Sequence, residues 1–469
     1  MGLVKRLLLV FVFFASVLSF FQFSVPELIG QDGWLHAGMA GVIAKEGFID
    51  SFPYTSESIF TESYADLQFG FRLLLVPFLV LGGMTGVKIA SVLFGSLFFV
   101  TLYWYLLQRK VAYAFFWSAL AMVVSGELMY RLMLSRALPL LLTLIVVTVY
   151  ALEEKKKGLL FGASLLSAWL YQGFVLQVFV VVLFFVFYRR NIRLLCVGLA
   201  GTVVGVVVNP YFPKNISLLW TQLVQVNLLG NAYNLEWKAW PLLQFVSVNW
   251  IVLVLVLVAG FVAYRRGSID KRSLFFLVLT GVFLVLMFRT RRMHEFFVPF
   301  SVLFVVLIFS RMHFSKKVRY GAVGVLVVLG LFQGVALHEE IARNHFLPWY
   351  SDSVDWMGEN IEGGARIFNN GYAFSYLFYH NPQFRYTHGV DLTYAELHDE
   401  ARFRRYIGVL QGQKPGFNVI TEDYAVDYVF VGKIKQDVQL FQHILAYKDD
   451  FELVYEDESA AVLKVIASI

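Results

Sequence analysis

The first 337 residues carry few acids, and those few fall in patterns that could do chemistry. In PELIGQDGWLHAGMAGVIAKEG, Asp32 and His36 stand four residues apart, so a helix starting near Asp32 would present both on one face. A carboxylate and an imidazole so placed could take up or pass on a proton. Asp32 also suits a helix N-cap, where its carboxylate would accept a backbone N–H, and that role does not exclude catalysis. SESIFTESYADLQF adds Glu57, Glu62 and Asp66 among hydroxyls and aromatics, either as acids of a substrate loop or as solvated loop charges. GELMYRLMLSRA holds Glu127, Arg131 and Arg136, and Glu127 and Arg131 have the spacing of a helical ion pair. The alternative sets Glu127 across a cavity from Asp32, with the arginines facing an anion. FRTRRMHEFF gathers Arg289, Arg291, Arg292, His294 and Glu295. A guanidinium offers phosphate oxygens a planar two-pronged fork, so this cluster suggests a site for a lipid phosphate or pyrophosphate. Snorkelling to lipid headgroups is the plainer explanation.

These residues must be held by an unusually apolar chain. It is 58% hydrophobic and 15% charged, against roughly 45–50% and about 25% in an average soluble domain, which excludes an ordinary soluble enzyme. Eleven runs read as membrane-spanning helices: residues 7 to 25, 87 to 107, 111 to 126, 137 to 152, 158 to 171, 173 to 188, 194 to 209, 248 to 264, 273 to 288, 296 to 310 and 320 to 337. The first is long and lacks an A-x-A-like cleavage site, so it is read as a retained helix. Residues 67 to 83 are interrupted by Arg72 and Pro77, and the positive-inside rule places them. If they do not span, 18 of the 28 Lys and Arg before residue 338 fall in inner loops; if they span, the tally reverses. They are therefore expected to lie on the outer face as a juxtamembrane or re-entrant helix. The amino terminus is then cytoplasmic, and the loops holding Asp32, Glu127 and Arg292 share the extracytoplasmic side. Trp237, Trp240 and Trp250 fit an interfacial aromatic belt, while Tyr171, Gln172 and NPYFPKN (209 to 215) read as connectors.

Charge also divides the chain, with 28 Lys+Arg against 13 Asp+Glu through residue 337 and 11 against 20 beyond it. After residue 338 the long apolar runs stop. Residues 365 to 370, 427 to 432, 451 to 458 and 460 to 465 are predicted strands, and 352 to 361, 396 to 411 and 436 to 446 predicted helices. The expected architecture is a polytopic α-helical body over 1 to 337 with about eleven spans. Its first outer loop with juxtamembrane helices covers 26 to 86, and a soluble α/β domain of 338 to 469 lies on the extracytoplasmic side. About 130 residues suffice for an independent core. That domain shows no phosphate loop, nucleophile elbow or metal-spaced histidine pair, so its expected role is stabilising or acceptor-facing. The single cysteine, Cys196, builds neither a disulfide scaffold nor a cysteine-ligated metal site.

The order of these motifs resembles the GT-C superfamily of integral-membrane glycosyltransferases, which includes oligosaccharyltransferase catalytic subunits, protein mannosyltransferases and aminoarabinose transferases. One helix is followed by an outer loop opening on an acid (DGWLHAGMAGVIAKEG) and by a juxtamembrane helix with an aromatic entry and a proline (YADLQFGFRLLLVPF). A second outer loop with arginines (GELMYRLMLSRA), a late outer arginine cluster (RTRRMHEFFVPF) and a soluble carboxy-terminal domain complete it. The resemblance implies sugar transfer from a polyprenyl-phosphate-linked or polyprenyl-diphosphate-linked donor to a glycan, lipid or protein acceptor. It places a catalytic or metal-binding acid at Asp32 and a second-loop acid at Glu127. The Asp-rich pair of the second loop is absent here, which puts the divalent metal ion of the oligosaccharyltransferases in doubt. In the resulting scheme Asp32 is the base or positioning acid, with His36 and Glu127 as its partners. Arg291 and Arg292 clamp the phosphate, and Arg289, Arg131 and Arg136 assist. Glu62, Asp66, His294 and Glu295 line the substrate side. A transporter or lipid-linked-saccharide flippase, or a structural assembly subunit, would use the same charges differently. Nucleic-acid binding is disfavoured, because the body's basic charge sits in short inner loops, as topology alone requires.

Overall fold

The computed structural model describes residues 2 to 188, 192 to 226, 235 to 267, 269 to 345, 347 to 412, 419 to 433, 440, 442, 444 and 450 to 466. Every one of the eleven apolar runs forms a helix. They lie in α1 (Leu3–Gln22), α3 (Phe69–Gln108), α4 (Ala114–Val123), α6 (Leu138–Glu153), α7 (Lys157–Leu170), α8 (Phe174–Tyr188), α9 (Ile192–Val207), α11 (Leu242–Arg266), α12 (Lys271–Met287), α13 (His294–Phe309) and α14 (Lys316–Asn344). Between them come α2 (Asp32–Glu46), α5 (Gly126–Met133) and α10 (Lys214–Trp220). Among the described residues, five helices are long and apolar enough to cross a membrane, or six if α5 and α6, bent by 110°, count as one span. Eleven crossings would need the shorter apolar helices as well.

Packing explains the shape of the bundle. A straight helix of 40 residues would run about 60 Å, twice the roughly 30 Å hydrocarbon thickness, so α3 has to bend. It does so at Gly83 (φ 55, ψ −140), a conformation open to glycine because it has no Cβ. The bend falls between the expected juxtamembrane segment and the expected span. Helices α7 and α9 touch backbone to backbone at Gly201 and Gly205, where a Cβ would lie 2.4 Å from Phe161 O and 2.6 Å from Leu165 O. Small residues one turn apart permit this approach. Phe14, Phe99, Leu141, Phe276 and Phe304 fill the interior without exposure. At one end of the bundle Arg109 and Arg272 close on Glu153 at 2.8 and 2.6 Å. The acids and arginines of the candidate site gather at the other end.

The carboxy-terminal part contains a five-stranded sheet in the order β2-β1-β3-β5-β4, with β1 (Arg366–Phe368), β2 (Arg385–Tyr386), β3 (Tyr428–Gly432), β4 (Phe451–Glu456) and β5 (Ala460–Val465). Strand β1 runs parallel to β2 and β3, and β5 is antiparallel to β3 and β4. Four strands fall where the sequence predicts them. The helix predicted at 352 to 361 is α15 (Ser351–Asn360). The one predicted at 396 to 411 is broken into α17 (Thr393–His398) and α18 (Glu400–Leu410), because extended Asp399 accepts the Arg402 N–H at 2.9 Å and starts a new helix. An unpredicted helix, α16 (Gly371–His380), begins at Asn370, whose side chain accepts the Tyr372 N–H. The helix predicted at 436 to 446 falls almost entirely outside the described residues.

Alternate strand residues face opposite sides of the sheet, and each side has its own cover. Val429, Val431 and Leu463 pack with Phe403 and Tyr406 of α18. Ile367, Phe430 and Val462 join a cluster with Trp34 of α2 and Phe52 of the first loop. The first loop also extends the sheet edge: Tyr386 N–H donates to Tyr54 O (2.9 Å), Ser56 N–H to Tyr386 O (2.9 Å) and Glu57 N–H to Thr387 O (3.0 Å). The core expected to be independent is thus completed on one face by residues of the amino-terminal loop.

Candidate active site

The first turn of α2 sets Asp32 on the lining of a cavity of about 290 Å3. Asp32 is the first residue of α2, and the N-cap position falls to Gln31, whose side chain makes no capping hydrogen bond. The Asp32 carboxylate lies 2.5 Å from Arg136 Nε, a contact between partly exposed groups. Arg136 occupies the sharp corner between α5 and α6, which are bent by 110°, and lines the cavity. Both of its terminal nitrogens donate to Glu236 Oε1 at 3.0 Å. Arg292 grips the other oxygen, Oε2, through Nε at 3.1 Å and a terminal nitrogen at 2.8 Å. A third guanidinium, that of Arg131, reaches Oε1 at 3.5 Å. Asp32, Arg136, Glu236 and Arg292 all border the cavity, and Tyr372 and Asp391 of the carboxy-terminal part line it with them.

Glu236 was not singled out from sequence, yet it is the hub of this arrangement. It sits on the one-turn segment Leu235–Trp237. The Thr290 hydroxyl donates to Glu236 O (2.9 Å) and the Arg291 N–H to Lys238 O (3.1 Å), tying that turn to the arginine segment. Burial would raise its carboxyl pKa, but Arg136, Arg292 and Arg131 outweigh that cost and hold it well below the usual carboxylate range. Trp237 and Trp240, expected in an aromatic belt, also support the arginines: Arg292 lies over Trp237 at 4.5 Å and Arg291 over Trp240 at 5.7 Å.

The remaining candidates separate into distinct places. Arg131 is almost fully buried behind the cavity, bonded to Glu127 (2.6 Å) and Glu295 (2.7 Å), so Glu127 makes the helical ion pair its spacing suggests. His294 is buried with Nε2 3.2 Å from the Ser125 hydroxyl. Arg289 is exposed, and neither it nor Arg291 borders the cavity. His36 is also turned away from the cavity: its Nδ1 accepts from Arg72 Nε at 3.3 Å and its ring packs on Phe71. Burial first, then Arg72 and Arg136, push its pKa far down and keep it neutral. Arg72 also binds Tyr64 (2.6 Å) and Asp66 (2.9 Å), which removes Asp66 from the substrate side. Burial raises the Asp66 carboxyl against the pull of Arg72. Glu57 anchors Arg402 of the carboxy-terminal part at 3.1 Å, and Glu62 is exposed.

The donor set does not suit a divalent metal. Asp32 and Glu127, the two acids that would hold it, are each engaged by an arginine, and a buried guanidinium at that distance opposes a cation. Among the described residues, no three His, Cys, Asp or Glu side chains form a group able to hold a metal ion.

No protein-family model and no curated protein matches the chain. Solved structures do. The structure of ArnT from Cupriavidus metallidurans bound to undecaprenyl phosphate aligns with a TM-score of 0.62 at 13% identity, covering 98% of each chain. The archaeal oligosaccharyltransferase AglB from Archaeoglobus fulgidus, in complex with an inhibitory peptide and a dolichol-phosphate, aligns with a TM-score of 0.60 at 12% identity over 92% of this chain and 70% of its own. An Archaeoglobus fulgidus oligosaccharyltransferase in complex with Zn and sulfate gives a TM-score of 0.63 at 12% identity, covering 97% of this chain and 73% of its own. The chain therefore shares the fold of these glycosyltransferases, the GT-C fold, and its long apolar helices point to an integral membrane protein.

Proposed function

We propose that the protein is a membrane glycosyltransferase that moves a sugar from a polyprenyl-phosphate-linked donor to an acceptor on the extracytoplasmic face. The observation that carries this reading is the convergence of Asp32, Arg136 and Arg292 on one cavity. Donor cleavage leaves the electron pair of the breaking anomeric C–O bond on the lipid phosphate. Arg136 and Arg292 stand where that charge develops, in a poorly hydrated site where fixed cations act strongly. The acceptor oxygen forms the new bond to the anomeric carbon, and Asp32 takes its proton. Arg131, held by Glu127 and Glu295, positions Glu236 and the arginines around it. The carboxy-terminal part, through Tyr372 and Asp391, forms the wall facing the acceptor. Undecaprenyl phosphate on ArnT and dolichol-phosphate on AglB support a lipid phosphate as the donor's carrier.

Asp32→Asn keeps the shape of the site and removes the proton acceptor. The expected outcome is a fall in sugar transfer of at least about 10²-fold, with the variant still inserted in membranes at normal abundance. Transfer near the wild-type rate would contradict the assignment of Asp32.

A further inference from the structure

We infer that Glu236 is a placeholder for the donor phosphate: its carboxylate fills the seat between Arg136 and Arg292 and yields it to the phosphodiester of the incoming donor. The inference deepens the transferase reading and rests on it.

The geometry of the seat carries the argument. Two guanidinium groups face each other across one carboxylate, Arg136 on Oε1 and Arg292 on Oε2, each through two nitrogens at 2.8 to 3.1 Å. A glycosyl phosphodiester also presents two free oxygens and one negative charge, and it matches the same pair of forks. Exchanging one for the other leaves the charge of the seat unchanged. Adding a phosphate without removing the carboxylate does not work, because Asp32, Glu127, Glu236 and Glu295 already answer Arg131, Arg136 and Arg292. An empty seat is equally unfavourable, since poorly solvated guanidinium groups need an anion.

Among those four carboxylates Glu236 is the one placed to leave. Glu295 is 4% exposed and bonded to Arg131; Asp32 and Glu127 are as exposed as Glu236, at 27%, 24% and 25%, but contact only Arg136 and only Arg131, whereas Glu236 alone joins Arg136 to Arg292 on the cavity wall. Its carbonyl is held by the Thr290 hydroxyl and that of Lys238, two residues on, by the Arg291 N–H, so the side chain can leave the seat while the backbone stays in place. After transfer the lipid phosphate becomes a monoester with a third free oxygen and more charge. Return of the Glu236 carboxylate then competes with the product and speeds its departure.

The test measures binding of a polyprenyl phosphate to the full chain in lipid nanodiscs, with inorganic phosphate in parallel, for wild type, Glu236→Gln and the double variant Glu236→Gln/Arg292→Ala. If the carboxylate holds the seat nine-tenths of the time, its removal lowers the apparent Kd about tenfold. The expected result is that tightening in E236Q, its loss in the double variant, and a fall in kcat together with KM as product lingers. Equal or weaker binding in E236Q overturns the placeholder while leaving the donor reading standing. Binding of polyprenyl phosphate by neither protein overturns both. Tightening for inorganic phosphate alone supports the placeholder and overturns the lipid-linked donor. Should E236Q fail to fold, Glu236→Asp, which withdraws the carboxylate by one methylene, is read in its place: tighter binding supports the inference, and unchanged or weaker binding overturns it.

Discussion

One guanidinium serves both halves of the proposed chemistry. Arg136 touches Asp32 through Nε and Glu236 through its terminal nitrogens, so it orients the proton acceptor and the phosphate seat together. Lysine offers a compact point charge with no fork and no second edge. Arg136→Lys should therefore lower kcat/KM by about 10²-fold despite keeping the charge, as expected when a bidentate clamp is lost; steady-state kinetics with the donor varied would check it, and near-normal kcat/KM would contradict the bridging role. Asp32, Arg136 and Arg292 were legible in the sequence because ionisable residues stand out against apolar surroundings. Glu236 was not, since it lies 100 residues from Arg136 and no helical spacing links them. Its neighbours Trp237 and Trp240 are the available signal, but their arginine partners lie on another segment.

At the scale of elements, the helices were legible wherever apolar length alone decides, and the bend of α3 at Gly83 falls at the break between residues 67 to 83 and the run from 87. Four of the five carboxy-terminal strands, all but β2, were legible as short β-rich runs. Helix α16 was missed because its aromatic surface, including Phe374 and Phe378, is buried by contact with α2 and the first loop, a partner absent from any local window. The segment after β2 joins α18 through His388, which stacks on Tyr406 with ring centroids 3.5 Å apart. Burial lowers the His388 pKa from 6.5 to about 3, so it is neutral when folded and protonated below pH 6.5 when unfolded. Stability is therefore fully present above about pH 6.5 and is lost as pH falls toward 3, at up to about 1.4 kcal/mol per pH unit. His388→Phe removes that share. Thermal melts at pH 7 and pH 4.5 should show a smaller acid loss for the variant than for wild type, and an unchanged difference would contradict the assignment.

The whole molecule gathers three distant regions at one end of the bundle. Gln31, next to Asp32, donates to Tyr372 O across 341 residues of sequence, and Glu236 arrives from the loop between α9 and α11. The cavity exists only where the first loop, the arginine turn and the carboxy-terminal part meet. That is why the sequence showed the ingredients as separate motifs and could not show that the supposedly separate soluble domain forms part of the cavity wall. The positive-inside tally and the fold agree on which loops lie together, since Asp32, Arg136 and Arg292 share one end and Arg109, Arg272 and Glu153 the other. The most direct test of the account is an experimental structure of the full chain with a polyprenyl phosphate bound. The account predicts the phosphate between Arg136 and Arg292 at charge-assisted distances of about 2.7–2.9 Å, with Glu236 turned out of the seat and Asp32 open to the cavity. A phosphate bound elsewhere on the bundle, with Glu236 still clasped by both arginines, would contradict it.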